Sequence, residues 1–498
     1  MSPRSAQYDP EERRAACRWF VLPLALYLGI HLLLRLLISQ SLGYDEAEQV
    51  LWSQTLAWGY GPQPPLYTWL LWGLTQVFGM SLGTLALMKA AILGAIYGFM
   101  YLSARHFLQD WRLACLSAFS LLLMPLIAWG SLKGSTHSDL LCAVCLATFW
   151  LALRLIDRGR TGSYVWLGVL AGLGMLSKYN FGLFASALLC AGLTLPGCRA
   201  RLLDRRMLLS FAIAGLLVAP HALWALERRG MIQNYLAMKM HDPETAHWFA
   251  GAGQALASLV YRLWSVLTLP LAAWLLYFPE GRRDAHTNRN EPRQLLTRFF
   301  AAALVLMLLP IAGGTTHFLP RWLQPFLVLA PLAFFARLDP ARLSRQRLQG
   351  FASLLVLAAV GVMAGRVGQI WLGSDHGGRY QPRELAFARS VARLEAAGFR
   401  AGILISRDSL TGANLRLGFP QARLLCTDYP SCKAPPAPSG EPCAVVWNAG
   451  ASDQSPALQE FLAPAFPAAM TMESAVQIAQ QLAKTGQCHE PVEFQQLP

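Results

Sequence analysis

Apolar runs of membrane-spanning length recur along this 498-residue chain, and they leave few folds open to it. A segment in hydrocarbon must satisfy its own backbone polar groups, so a chain made of such runs becomes a helical bundle. Spans fall at 19–38, 84–103, 113–130, 139–156, 163–177, 180–197, 207–225, 255–277, 297–312, 320–336 and 349–372, about eleven in all. The stretch 66–80 is also apolar and reads as a re-entrant or interfacial helix, or as one more span. Composition agrees: 14% of residues are charged and 54% hydrophobic, where a soluble domain carries about 25% charged.

The net charge of +14 invites a nucleic-acid partner, but its distribution argues against one. Alternate segments between spans carry Arg4, Arg13, Arg14 and Arg18; Arg105 and Arg112; Arg154, Arg158 and Arg160; Arg199, Arg201, Arg205 and Arg206; Arg282, Arg283, Arg289, Arg293 and Arg298; and Arg337, Arg342, Arg345 and Arg347. The other segments before residue 373 hold only Lys133, Lys178, Arg228, Arg229, Lys239 and Arg321. Such alternation orients membrane proteins, with the basic loops inside. It predicts a cytoplasmic N-terminus over 1–18, with the first apolar run kept as an uncleaved anchor. It also predicts a membrane domain over 19–372 with a long outer loop at 39–83.

On this topology the outer face collects Asp45, Glu46, Gln63, Lys133, His137, Asp139, Lys178, Asn180, Lys239, His241, Glu244, His247, His317 and Arg321. One-sided clustering suits an enzyme at the outer membrane surface. A transporter would set polar groups near the bilayer midplane, often in two related halves, and no internal repeat is evident. A third class, a binding or assembly protein, would work through the polar C-terminal residues 373–498. There Ala401–Ile405 and Cys443–Trp447 read as strands, and 384–397 and 472–482 as helices. A small α/β domain outside the membrane follows. Its Cys426, Cys432, Cys443 and Cys488 suit one or two disulfides in an oxidising compartment.

The acidic outer loop opens with Gly43-Tyr-Asp-Glu-Ala-Glu-Gln49 and continues to Gly61-Pro-Gln-Pro-Pro-Leu-Tyr67. Asp45 and Glu46 are candidate catalytic carboxylates, because a carboxylate can take the proton of an attacking hydroxyl; the plain alternative is a solvated acidic loop. Pro64 and Pro65 stiffen the backbone beside Gln63 and Tyr67, or merely launch the next helix. Lys133-Gly-Ser-Thr-His-Ser-Asp139 suits a helix N-terminus. Asp139 there is a cap, a partner for Lys133, an orienting group or a ligand for a divalent cation. Lys178-Tyr179-Asn180 lies between two short spans, where Lys178 snorkels or binds a lipid phosphate. Arg321, four residues after His317, can grip phosphate with two N–H groups or anchor the interface beside Trp322. His241 and His247 are six apart, not the spacing of a helical zinc pair, so this loop reads as an acceptor-binding or gating loop and no metal site is assigned.

Taken in order, the acidic first loop, the Pro-Pro-Leu element, the Asp139 segment, Gly168-Val-Leu-Ala-Gly-Leu-Gly-Met-Leu-Ser-Lys178 and Phe318-Leu-Pro-Arg321 resemble the GT-C membrane glycosyltransferases of the family 39 type. That group includes protein O-mannosyltransferases and the bacterial lipid A aminoarabinose transferase. Asp-Glu-Ala-Glu-Gln with Gly-Pro-Gln-Pro-Pro-Leu-Tyr is most similar to transferases that decorate lipopolysaccharide core or lipid A, galacturonosyltransferases among them. The resemblance covers about residues 20–340 and implies a GT-C fold in a bacterial inner membrane; the C-terminal domain matches no motif of the family, and its periplasmic place follows from the charge alternation. The resemblance also implies a polyprenyl-phosphate sugar donor, a lipid or glycan acceptor and an inverting transfer without a defined cofactor. Asp45 would be the base or acceptor-orienting group, with Glu46 in support. Lys178 and Arg321 would hold the donor phosphate in the same cavity. Gln63, Tyr67, Lys133, His137, Asp139, Tyr179, Asn180, His241 and His317 would line the substrate. Gln63 departs from the Lys that aminoarabinose transferases carry there, which removes one positive contact.

Overall fold

The computed structural model describes residues 14–108, 110–240, 248–279, 291–372, 387–426, 443–447 and 493–497. His241, Glu244, His247, Cys432, Cys488 and the helix expected at 472–482 lie outside them. Every apolar span read from the sequence falls on helix. Among the described residues, seven helices have the length and apolarity to cross a membrane: Arg14–Ile38, Leu82–Phe107, His137–Arg158, Met207–Glu227, Ala250–Tyr277, Glu291–Ala312 and Arg345–Gln369.

The other four expected spans differ from a single long helix. Trp111–Leu123 and Pro125–Leu132 form a pair bent by 60°. Met124 is extended at φ −93°, ψ 110° because Pro125 disfavours helical backbone in the residue before it. Thr161–Ser177 and Phe181–Leu193 are shorter apolar helices. The expected span 320–336 is two pieces, Pro320–Leu327 and Ala330–Phe335, each with proline in its first turn. The expected outer loop 39–83 is largely helical, through Tyr44–Trp52 and Leu66–Phe78.

The chain forms two compact units. The first comprises 1–31, 58–67 and 89–364 and is a helical bundle. Its central helix is His137–Arg158, with 78% of its apolar window buried. Met207–Glu227 has only 17% of its window buried and turns Leu208, Phe211 and Leu216 outward. Apolar residues facing out along a spanning helix mark a lipid-facing surface. Two glycines let the helices approach. A methyl at Gly168 would lie 2.6 Å from the Ser210 carbonyl oxygen, and one at Gly172 would lie 2.8 Å from Leu217. This small-residue spacing lets helix Thr161–Ser177 pack backbone to backbone on Met207–Glu227.

The second unit comprises 32–57, 68–88 and 365–498. Its sheet has the order β2-β1-β3-β4, with β1 Ile403–Ser406, β2 Arg423–Cys426, β3 Cys443–Trp447 and β4 Glu493–Leu497. β1 is parallel to β2 and β3, and β4 is antiparallel to β3. Parallel neighbours need a crossover, and helix Ser409–Gly418 supplies it between β1 and β2. Asp408 caps that helix by accepting from the Thr411 N–H at 2.8 Å.

Candidate active site

In the second unit the acidic stretch is an ordered helix, Tyr44–Trp52. Glu46 closes its first turn, with Oε2 accepting from the Gly43 N–H at 3.0 Å. The same oxygen accepts from Arg35 at 3.2 Å, and Arg35 also donates to the Ser41 carbonyl at 3.1 Å. Both side chains of the ion pair are buried. Glu46 is therefore a structural acid that fixes the start of the helix. From Glu46 on the helix is buried apart from the half-buried Glu48, whereas Tyr44 and Asp45 in its first turn are exposed. Among the described residues Asp45 makes no hydrogen bond or ion pair, so its carboxylate is available to a substrate. Gln49, fully buried, accepts from the Thr68 hydroxyl at 2.6 Å and ties this helix to Leu66–Phe78.

In the first unit Gln63 is half-buried before the buried Pro64 and Pro65. Tyr67 is buried, with its ring 5.5 Å from that of His137. The next residue, Ser138, accepts from Lys178 Nζ at 2.8 Å. One further on, Asp139 is fully buried and heavily bonded. Lys89 Nζ donates to its Oδ2 at 2.8 Å and Ser131 Oγ at 3.0 Å, while Gln324 Nε2 reaches Oδ1 at 3.3 Å. The expected pairing of Asp139 with Lys133 does not occur. Lys133 is exposed and lies over the Trp129 ring at 5.5 Å, because the turn at Gly134 carries it off the helix. Asp139 is the acid of a buried ion pair, and both its oxygens are taken up by protein donors.

Lys178 occupies the break between two helices. Its backbone is extended at φ −169°, ψ 141°, which ends Thr161–Ser177 and leaves Lys178, Tyr179 and Asn180 in a half-buried turn. Tyr179 Oη is 3.0 Å from His221 Nε2, and His221 Nδ1 is 2.8 Å from the Trp58 carbonyl. That carbonyl can only accept, so Nδ1 carries the proton and Nε2 accepts from the tyrosine. Burial pushes the Tyr179 hydroxyl up to about 12, so it stays protonated and can donate. Gly59 has no room for a side chain against the Trp224 ring. Thus His221 couples the Lys178 turn to the segment leading to Gln63. Asn180 stands at the N-cap of helix Phe181–Leu193 without a side-chain cap bond.

His317 is half-buried, 3.3 Å through Nδ1 from the Thr316 hydroxyl. Phe318 is held at both ends of its peptide unit. Its N–H donates to Ser258 Oγ at 3.0 Å, and its carbonyl accepts from Arg262 Nε at 3.2 Å. Arg321 follows in the first turn of Pro320–Leu327, half-buried, and makes no hydrogen bond or ion pair among the described residues. A guanidinium without a protein partner can take a phosphate.

Sequence reasoning passed over Arg35, Lys89, His221 and Gln324. Three of these are ionisable groups inside apolar spans, which is itself a functional signal.

Three comparisons bear on this arrangement. The family described as dolichyl-phosphate-mannose-protein mannosyltransferase matches residues 62–224. The lipopolysaccharide core galacturonosyltransferase RgtB of Rhizobium johnstonii is 30% identical over 457 residues, covering 91% of this chain and 92% of that protein. RgtA of the same organism, also a lipopolysaccharide core galacturonosyltransferase, is 30% identical over 432 residues, 85% of each chain. The fold is similar to that of ArnT from Cupriavidus metallidurans bound to undecaprenyl phosphate. The TM-score is 0.61 at 16% identity, over 90% of this chain and 95% of that one.

Proposed function

Because this chain belongs to the family of membrane glycosyltransferases that holds the lipopolysaccharide core galacturonosyltransferases, we propose that it moves a hexuronic acid from a polyprenyl-phosphate carrier to lipopolysaccharide core. The observation that carries the reading is the end-to-end match to RgtB at 30% identity over 91% of the chain. The exposed Asp45, and Arg321 with no hydrogen bond or ion pair among the described residues, support the chemistry it needs.

The Asp45 carboxylate takes the proton of an acceptor hydroxyl. The hydroxyl oxygen attacks the anomeric carbon as the carbon–oxygen bond to the carrier phosphate breaks. The electron pair leaves on polyprenyl phosphate, and the anomeric configuration inverts. Lys178 and Arg321 compensate the departing phosphate charge. Ser138 holds the Lys178 ammonium until that phosphate arrives. The arginine distribution supports work on the periplasmic side of the inner membrane, with the N-terminus cytoplasmic.

The test is reconstitution. Purified enzyme in lipid is given polyprenyl-phosphate galacturonic acid and lipopolysaccharide from a strain lacking the gene. Mass spectrometry should find one hexuronic acid added to core oligosaccharide. Transfer to a protein acceptor with no change in lipopolysaccharide would replace this reading with protein O-glycosylation, the activity for which the matching family is described.

A further inference from the structure

A nine-residue helix such as Tyr44–Trp52 is too short to persist by itself, so whatever packs on it decides where Asp45 points. Within the second unit that neighbour is the C-terminal α/β segment, more than three hundred residues away in sequence. The Leu42 N–H donates to Asn414 Oδ1 at 2.8 Å, just before the helix begins. Past its end, Gln54 pairs twice with the Leu424 peptide. Its Nε2 donates to the carbonyl at 2.9 Å, and its Oε1 accepts from the N–H at 2.7 Å. Between them, Arg416 Nη1 donates to the Val50 carbonyl at 2.7 Å while its Nε holds the Ala422 carbonyl at 3.2 Å.

Asn414 and Arg416 are buried. Burial brings the Arg416 guanidinium down to about 10, which leaves it charged at neutral pH. A buried cation at the last turn of a helix meets the negative end of its dipole. Helix Ser409–Gly418 lies against Tyr44–Trp52, and Ala413 and Leu415 are fully buried on it. Asp45, in the first turn, stays exposed.

We propose that the α/β segment is the holder of the Asp45 helix, with Arg416 and Asn414 as positioning residues for sugar transfer. The catalytic half of this statement rests on the reading of Asp45 as base. The positioning half does not, and the experiment separates them. Full-length wild type, R416Q, R416K and N414A are compared by hydrogen–deuterium exchange and, in parallel, by transfer kinetics with polyprenyl-phosphate galacturonic acid and lipopolysaccharide.

Amides 44–53 should lose protection in R416Q and N414A, while those of helix His137–Arg158 keep theirs. kcat should fall about 10- to 100-fold, the cost of a base displaced by about 1 Å, with the donor KM little changed. R416K keeps the cation at the helix end and should recover part of both. Unchanged protection at 44–53 in R416Q overturns the proposal. So does lost protection with wild-type kcat, or a loss of protection spread over the whole chain. If R416Q does not accumulate, Q54A removes the paired contact to Leu424 without emptying a buried charge site, and the same outcomes decide. Should wild type itself transfer no sugar while 44–53 still loosens in R416Q, the holder stands and the substrate assignment falls.

Discussion

Asp45 is exposed in the first turn of a helix that is otherwise largely buried, so its charge can be removed without disturbing what holds the helix in place. D45N should therefore keep the thermal midpoint and the donor KM of wild type while kcat falls about 10²- to 10⁴-fold, the range for losing a general base. Steady-state transfer kinetics check it, and full activity in D45N would end its role as base. Lys89 and Asp139 are the opposite case, since both are buried and each is the other's charge partner. K89M leaves a carboxylate alone in an apolar interior and should destabilise by about 3–5 kcal/mol. Adding D139L should return much of that loss, because two apolar side chains need no compensation. Thermal inactivation of the single and double variants in detergent measures the difference. If the double variant is no more stable than K89M, the pair matters for something other than charge balance.

At the scale of elements, two glycines on one helix make different demands. The atom facing Gly168 is the Ser210 backbone oxygen, which cannot move without its helix. Gly172 faces Leu217, whose Cδ1 at 2.8 Å can rotate away but whose Cβ at 2.9 Å is fixed to its helix. Hence both G168A and G172A should cost about 1–3 kcal/mol by overpacking, G168A the more because backbone atoms come closest there; the two melting temperatures, compared in one detergent, decide. Long elements were legible because a run of twenty apolar residues is a local property of the chain. The Pro125 and Pro331 breaks were legible in principle, since proline acts on its own neighbours. The Asp45 helix was not: the stretch 44–52 carries three acids and reads as a loop until Arg35 and the α/β segment bury most of it. For Asp139 a partner was sought six residues away at Lys133. The partner is Lys89, fifty residues back, and no periodicity announces a contact between two helices. Asn414 and Arg416 gave no signal at all, since their partners lie 372 and 366 residues away.

For the molecule as a whole the open quantity is direction across the bilayer. On the proposed orientation the basic clusters at Arg199–Arg206 and Arg337–Arg347 lie inside, and the Lys178 turn between Arg160 and Arg199 then lies on the outer side. Helices Thr161–Ser177 and Phe181–Leu193 have 17 and 13 residues. At 1.5 Å per residue they span about 26 and 20 Å, less than a hydrocarbon core of about 30 Å. If both cross, the Lys178 turn sits below the outer surface, at the depth where a lipid phosphate leads into its chain. A phosphatase reporter that folds only in the oxidising compartment can be fused after Leu203, after Leu343 or after Pro498. It should be inactive at the first two sites and active at the third. Activity after Leu203 would mean that the two short helices together cross only once, and the Lys178 turn between them would then sit near the bilayer midplane, away from the donor phosphate. Inactivity after Pro498 would put the α/β segment in the cytoplasm, and with it the Asp45 helix that it holds, where no periplasmic acceptor could reach the base.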